Sequence, residues 1–72
     1  MDVKTAILKA RETAKPYVGE GTSFRVEEVE HLDEEADWNI ILSWELTPDS
    51  RVYWLFRIRG ESPVGMEQVL DL

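Results

Sequence analysis

His31 is the only histidine, and it lies in "VEEVEHLDEEADW" among seven carboxylates. Histidine beside carboxylate is the raw material of general acid–base catalysis, and clustered Asp and Glu are the raw material of a cation site. Neither chemistry is well served by the spacing. A catalytic histidine needs a nucleophile to activate or a carboxylate to orient it. Glu30 and Asp33 are near in sequence, but in an alternating strand residue 30 points away from residue 31. A structural or surface role is expected for His31. An EF-hand loop starting at Asp33 would need Gly at its sixth position and Glu at its twelfth. Those positions hold Trp38 and Trp44, so the acidic run reads as a solvated turn. Ser23, Ser43, Ser50 and Ser62 lack a nucleophile-elbow context, and there is no Gly-rich phosphate loop and no HExxH. A general acid works from an apolar pocket, and a chain of 72 residues has little room for one. The expectation is a non-enzymatic protein with no catalytic residue, no cofactor and no metal.

Composition narrows the partners. The chain carries 8 basic and 15 acidic residues, a net charge of −7. Nucleic-acid affinity comes largely from Lys and Arg, so phosphate backbones are disfavoured, and anionic membranes for the same reason. The charge is uneven. Residues 1–18 hold Lys4, Lys9, Arg11 and Lys15 against Asp2 and Glu12, a net +2, which leaves −9 on the rest. No apolar run has signal-peptide form or approaches a membrane span, so a cytoplasmic location is expected. With no cysteine, no disulfide staples the fold. A chain of this mass buries roughly 60% of its unfolded surface, which is marginal, so most apolar residues are needed for packing.

Residues 1–72 read as one domain without repeat or linker. Residues 2–15 predict an amphipathic helix, with Val3, Ile7, Ala10 and Ala14 on one stripe and Tyr17 continuing it. Asp2 is placed to cap its first turn. Pro16 disfavours helical angles at Lys15, so the helix should end or kink there. Gly19 and Gly21 punctuate a loop.

Strands are expected over about 22–32, 37–46, 51–59 and 64–70. In the first, Phe24 and Val26 share a face and Val29 is out of phase by one. A bulge at Glu27–Glu28 would restore Val29 to that face. "TPDS" (47–50) supplies a turn between the second and third strands. Their apolar positions make one unbroken face: Trp38, Ile40, Leu42, Trp44 and Leu46, then Val52, Trp54, Phe56 and Ile58. A register whose partner numbers add to 96 sets Leu42 opposite Trp54 and Ile40 opposite Phe56. On the other face it matches Glu45 with Arg51, Ser43 with Tyr53 and Ile41 with Leu55, so opposite charges and apolar pairs meet. Val64, Met66, Gln68 and Leu70 alternate weakly, as an edge strand or a last helical turn would.

One apolar helix stripe and one apolar sheet face imply an α+β fold. The N-terminal helix packs on one face of a three- to four-stranded antiparallel β-meander. Small Ala6, Ala10 and Ala14 against Trp38, Trp44, Trp54 and Phe56 permit close approach. The tryptophan face has no Lys or Arg, unlike a single-strand nucleic-acid platform, so it is expected to be core.

The segments "DVKTAILKARETA", "VEEVEHLDEEADWNIILSW" and "RVYWLFRIRGESPVGMEQV" span nearly the whole chain. Together they resemble a family of small bacterial proteins of unknown function, similar in layout to PepSY-like domains. The resemblance implies a helix against an antiparallel sheet and brings no catalytic residue. It also implies a Gly-rich hairpin into a regular last strand, where this chain has "GESPVGMEQVLDL". Pro63 and Gly65 break that regularity.

The sheet's other face remains. Val29 or Leu32, Ile41, Tyr53 and Leu55 are expected to cluster there, ringed by Arg51, Arg57, Arg59 and Glu45. An aromatic–aliphatic centre with an Arg rim has the composition of a contact surface. Ile41, Tyr53, Leu55 and Arg57 are therefore the candidate partner-binding residues, for a protein partner or a homodimer, through this face or the edge strand. The second reading is an acidic inhibitor or antitoxin-like protein. It would block a basic target by charge mimicry through Glu27, Glu28, Glu30, Asp33, Glu34, Glu35 and Asp37.

Overall fold

The Asp2 carboxylate accepts the Thr5 amide at 2.9 Å and opens helix α1, Val3–Ala14. This is the cap expected from the sequence. The computed structural model describes residues 2–19, 21–32, 37–60 and 62–70. At Pro16 the helix tightens into a single 3-10 turn, Lys15–Tyr17. Four strands follow: β1 Arg25–Leu32, β2 Asp37–Thr47, β3 Ser50–Arg59 and β4 Ser62–Val69. They form one antiparallel sheet in the order β1–β2–β3–β4. The fold is α+β, with α1 packed over β2, β3 and β4.

The β2–β3 register has Ile40 opposite Phe56, Ile41 opposite Leu55, Leu42 opposite Trp54 and Glu45 opposite Arg51. That is the expected pairing. The bulge in β1 is also where the phase shift put it. Val26 pairs with Leu42, Glu28 with Ile41 and Val29 with Ile40, leaving Glu27 as the extra residue. Two further irregularities occur. Leu46 has no partner where the register shifts beside the Pro48–Asp49 turn. In β4, Val64 is skipped between the pairs Gly65–Arg57 and Pro63–Ile58. The last segment is therefore a strand, longer than expected at its start, and Leu70 lies beyond it, exposed. Residues 22–24 precede β1 rather than belonging to it.

The core lies between α1 and the inner sheet face. Ala6, Ala10 and Ala14 are fully buried against Ile40, Leu42, Trp44, Phe56 and Ile58. Ala10 and Ala14 of the expected stripe are buried, and Ala6 joins them in place of its other members. Val3 is exposed, Ile7 is half-buried and Tyr17 is 67% exposed. The alanines at i, i+4 and i+8 face the sheet because their small side chains let the helix approach large ones closely.

The tryptophans are not equivalent. Trp44 is buried and meets Phe24 edge-on, with ring centroids 5.7 Å apart. Trp38 and Trp54 are only half-buried. A 12-residue helix is about 18 Å long, whereas the 11 residues of β2 extend about 36 Å. The helix is too short to cover the whole apolar face. Trp38 stacks on His31 beyond it, with centroids 4.3 Å apart and planes 16° from parallel. Trp54 lines an open groove with Tyr17, Val52 and Met66. Leu46, displaced near the turn, is 65% exposed.

Candidate interaction surface

The outer sheet face is organised in rungs, each crossing the strands. The central rung is Glu67–Leu55–Ile41–Glu28. On one side lies Gly65–Arg57–Asn39–Glu30, and on the other Val69–Tyr53–Ser43–Arg25. Among the described residues no element lies over this face.

Two polar ladders flank the apolar rung. Arg57 Nε donates to Asn39 Oδ1 at 3.3 Å, and Asn39 Nδ2 donates to Glu30 Oε1 at 3.2 Å. In the second ladder, Arg51 Nε donates to Ser43 Oγ at 2.9 Å, and Ser43 Oγ donates to the Glu27 carboxylate. Arg25 and Arg51 also approach Glu27 Oε2, at 3.5 and 4.0 Å. The bulge makes this possible, because the extra residue Glu27 projects its carboxylate between two arginines. Each ladder joins a β3 cation to a β1 anion through a β2 hydrogen-bonding side chain.

The four expected partner-binding residues are brought together. Ile41 faces Leu55 directly, and Tyr53 and Arg57 flank Leu55 on the same face of β3. Their exposures differ. Ile41 is 8% exposed, Tyr53 and Leu55 are half-buried and Arg57 is exposed. The surface a partner would touch is therefore Tyr53, Leu55 and Arg57, with Val69 beside Tyr53. Ile41 is the floor beneath them. Val29 does not join this cluster, since its bulge-corrected register turns it to the inner face opposite Ile40. Leu32 lies at the far end of the outer face, opposite Asp37.

Two residues were not singled out by the sequence reading. Asp37, there placed at the start of the second strand and in the charge-mimicry set, is fully buried and so is not available to a basic target. Arg59 Nε donates to its Oδ1 at 3.2 Å, and a second nitrogen donates to Oδ2 at 3.2 Å. Ser43 is also fully buried, at the middle of its ladder. The register contained the signal for Asp37, because the arithmetic that pairs Glu45 with Arg51 also pairs Asp37 with Arg59. Asp33, Glu34 and Glu35 of the acidic set lie outside the described residues.

Among the described residues no group of three or more His, Asp or Glu side chains is placed to hold a metal, and no helix is long and apolar enough to cross a membrane. Comparison with protein-family models, curated proteins and solved structures found no match to this chain.

Proposed function

We propose that this protein is a non-enzymatic interaction module that binds a protein partner through its outer sheet face and the adjoining strand edge. The observation behind this reading is the outer face itself. It is uncovered among the described residues, yet it holds a half-buried Tyr53–Leu55 pair with exposed Arg57 beside it. Polar ladders fix the backbone and long side chains around that pair, which reduces the ordering cost of docking. Affinity capture from native cells tests it, using the wild type, Leu55→Glu and the helix-face control Lys4→Glu as baits. The expected result is a stoichiometric partner retained by Lys4→Glu and lost by Leu55→Glu. A capture profile unchanged by Leu55→Glu removes the outer face from the reading.

Charge mimicry is the alternative. Glu28 favours it, being an exposed carboxylate with no ion pair or hydrogen bond among the described residues. It predicts an association that weakens steeply with salt.

A further inference from the structure

Resting on the interaction reading, we infer that the free edge of β1 accepts an extended partner segment as a fifth strand, one that alternates basic and apolar side chains. Three observations at this edge converge. First, among the described residues β1 pairs only with β2, so the other side of Arg25 to Glu30 presents backbone N–H and C=O groups as a template for strand addition.

Second, the apolar inner face continues past the helix onto β1. Ile40 and Leu42 of β2 are fully buried, while their β1 partners Val29 and Val26 are 36% exposed and half-buried. Nearby, a cleft of about 800 Å³ lies between α1 and the connection that precedes β1, with Leu8, Val18 and Phe24 in its lining together with Arg11, Glu12 and Lys15. Leu8 is 55% exposed, on the flank of α1. An added strand would place every second side chain on this apolar shelf. Third, the outer side of the same edge begins with Arg25 and then carries Glu28 and Glu30. Glu30 accepts one bond from Asn39, and Glu28 has no partner among the described residues. The alternate side chains of the added strand would face these carboxylates, so Lys or Arg fits there.

The same residues argue against a second copy of the chain at this edge. A two-fold antiparallel β1–β1 pairing centred on Val29 sets Glu28 against Glu30 twice, and one centred on Glu30 sets Glu30 against itself. Like charges directly opposite are destabilising. In these two registers the edge repels itself and favours an opposite charge; a pairing centred on Glu28, with Glu27 looped out, would set Arg25 against Glu30 and Val26 against Val29, so self-association is the competing outcome of the test. β4, the other edge, has Pro63 without an N–H to donate and Gly65 without a side chain to read.

The probe is a synthetic capped peptide of alternating Lys and Val, titrated into the full chain at low salt and followed by amide NMR. The control peptide has the same composition in two blocks. Shifts and slowed amide exchange concentrated in residues 25–32 are expected. Glu28→Lys with Glu30→Lys should weaken binding by about tenfold or more, and the two Gln variants should fall between. The block peptide should bind about tenfold more weakly, because it cannot satisfy both faces at once. Equal binding of the block peptide, shifts centred on Tyr53 and Leu55 or on β4, self-association through β1, or no binding at millimolar peptide each overturn the inference. The interaction reading is scored separately. If the peptide fails while Leu55→Glu still abolishes partner capture, only the β1 edge is eliminated.

Discussion

Replacing Leu55 by Glu should remove partner binding while leaving the domain folded, and the structure sets the expected cost. Leu55 is half-buried on the outer face. Full burial of a leucine side chain contributes roughly 1.5–3 kcal/mol, so a partly exposed one contributes about 1–2. The new carboxylate would stand opposite Glu67 of β4, adding about 0.2–1 kcal/mol of repulsion. The loss is then about 1–3 kcal/mol, against a stability of roughly 4–11 kcal/mol for a chain of this size. At roughly 4–8 °C per kcal/mol, the melting temperature should fall by about 4–24 °C. Ile41→Glu is the matched contrast, because Ile41 lies directly across the sheet but is 8% exposed. Burying a carboxylate there should cost about 4 kcal/mol or more and leave little folded protein. Urea denaturation followed by circular dichroism, with the linear slope compared among variants, measures both. If Leu55→Glu unfolds the protein as Ile41→Glu does, Leu55 is core and the outer-face reading fails.

Trp44→Ala should cost about 3–5 kcal/mol, because Trp44 is buried and loses its edge-on contact with Phe24. Trp38→Ala, removing a half-buried ring stacked on His31, should cost less than half of that in the same urea assay. Ala10→Leu inserts three carbons into the fully buried seam between α1 and the sheet, and should destabilise by about 1–3 kcal/mol or more despite a helix propensity close to that of alanine. Asp2→Ala should lower the melting temperature at neutral pH. The Thr5 amide holds the Asp2 carboxyl below its ordinary value of 3.8, so the folded state favours the anion. That contribution is present above the ordinary value and lost as pH falls through the lowered one. The gap between wild type and variant should therefore close in strong acid, and a pH-independent gap would refute the cap.

The sheet was more legible in the sequence than the helix packing. Glu45 and Arg51 fix the β2–β3 register because only one in-phase pairing near the turn joins opposite charges. Val29 reveals the β1 bulge because a one-residue slip in phase has few other remedies. The helix stripe was legible in part: small Ala6, Ala10 and Ala14 were expected against the large sheet residues and are buried, but hydrophobicity ranks Val3, Ile7 and Tyr17 above Ala6 and placed them on the stripe as well. The partial exposure of Trp38, beyond the reach of a short helix, and of Trp54, in a groove with Tyr17, Val52 and Met66, is displayed by no local pattern. The candidate site was legible as composition and register. Its relief was not, since Ile41 becomes a floor only when the Arg57–Asn39–Glu30 and Arg51–Ser43–Glu27 ladders close beside it.

The strand order β1–β2–β3–β4 has a kinetic consequence. Every strand hydrogen-bonds to its neighbour in the chain, so the sheet assembles from short loop closures alone. The N-terminal helix is the only element that must search across a long stretch of sequence for its seat. Such a topology places folding between the microseconds of helical bundles and the seconds of all-β sandwiches. Over that interval the tryptophan-rich face of the β2–β3 hairpin is open to water and to other chains. The rate at which three alanines find it therefore sets how long the newly made protein is vulnerable to aggregation.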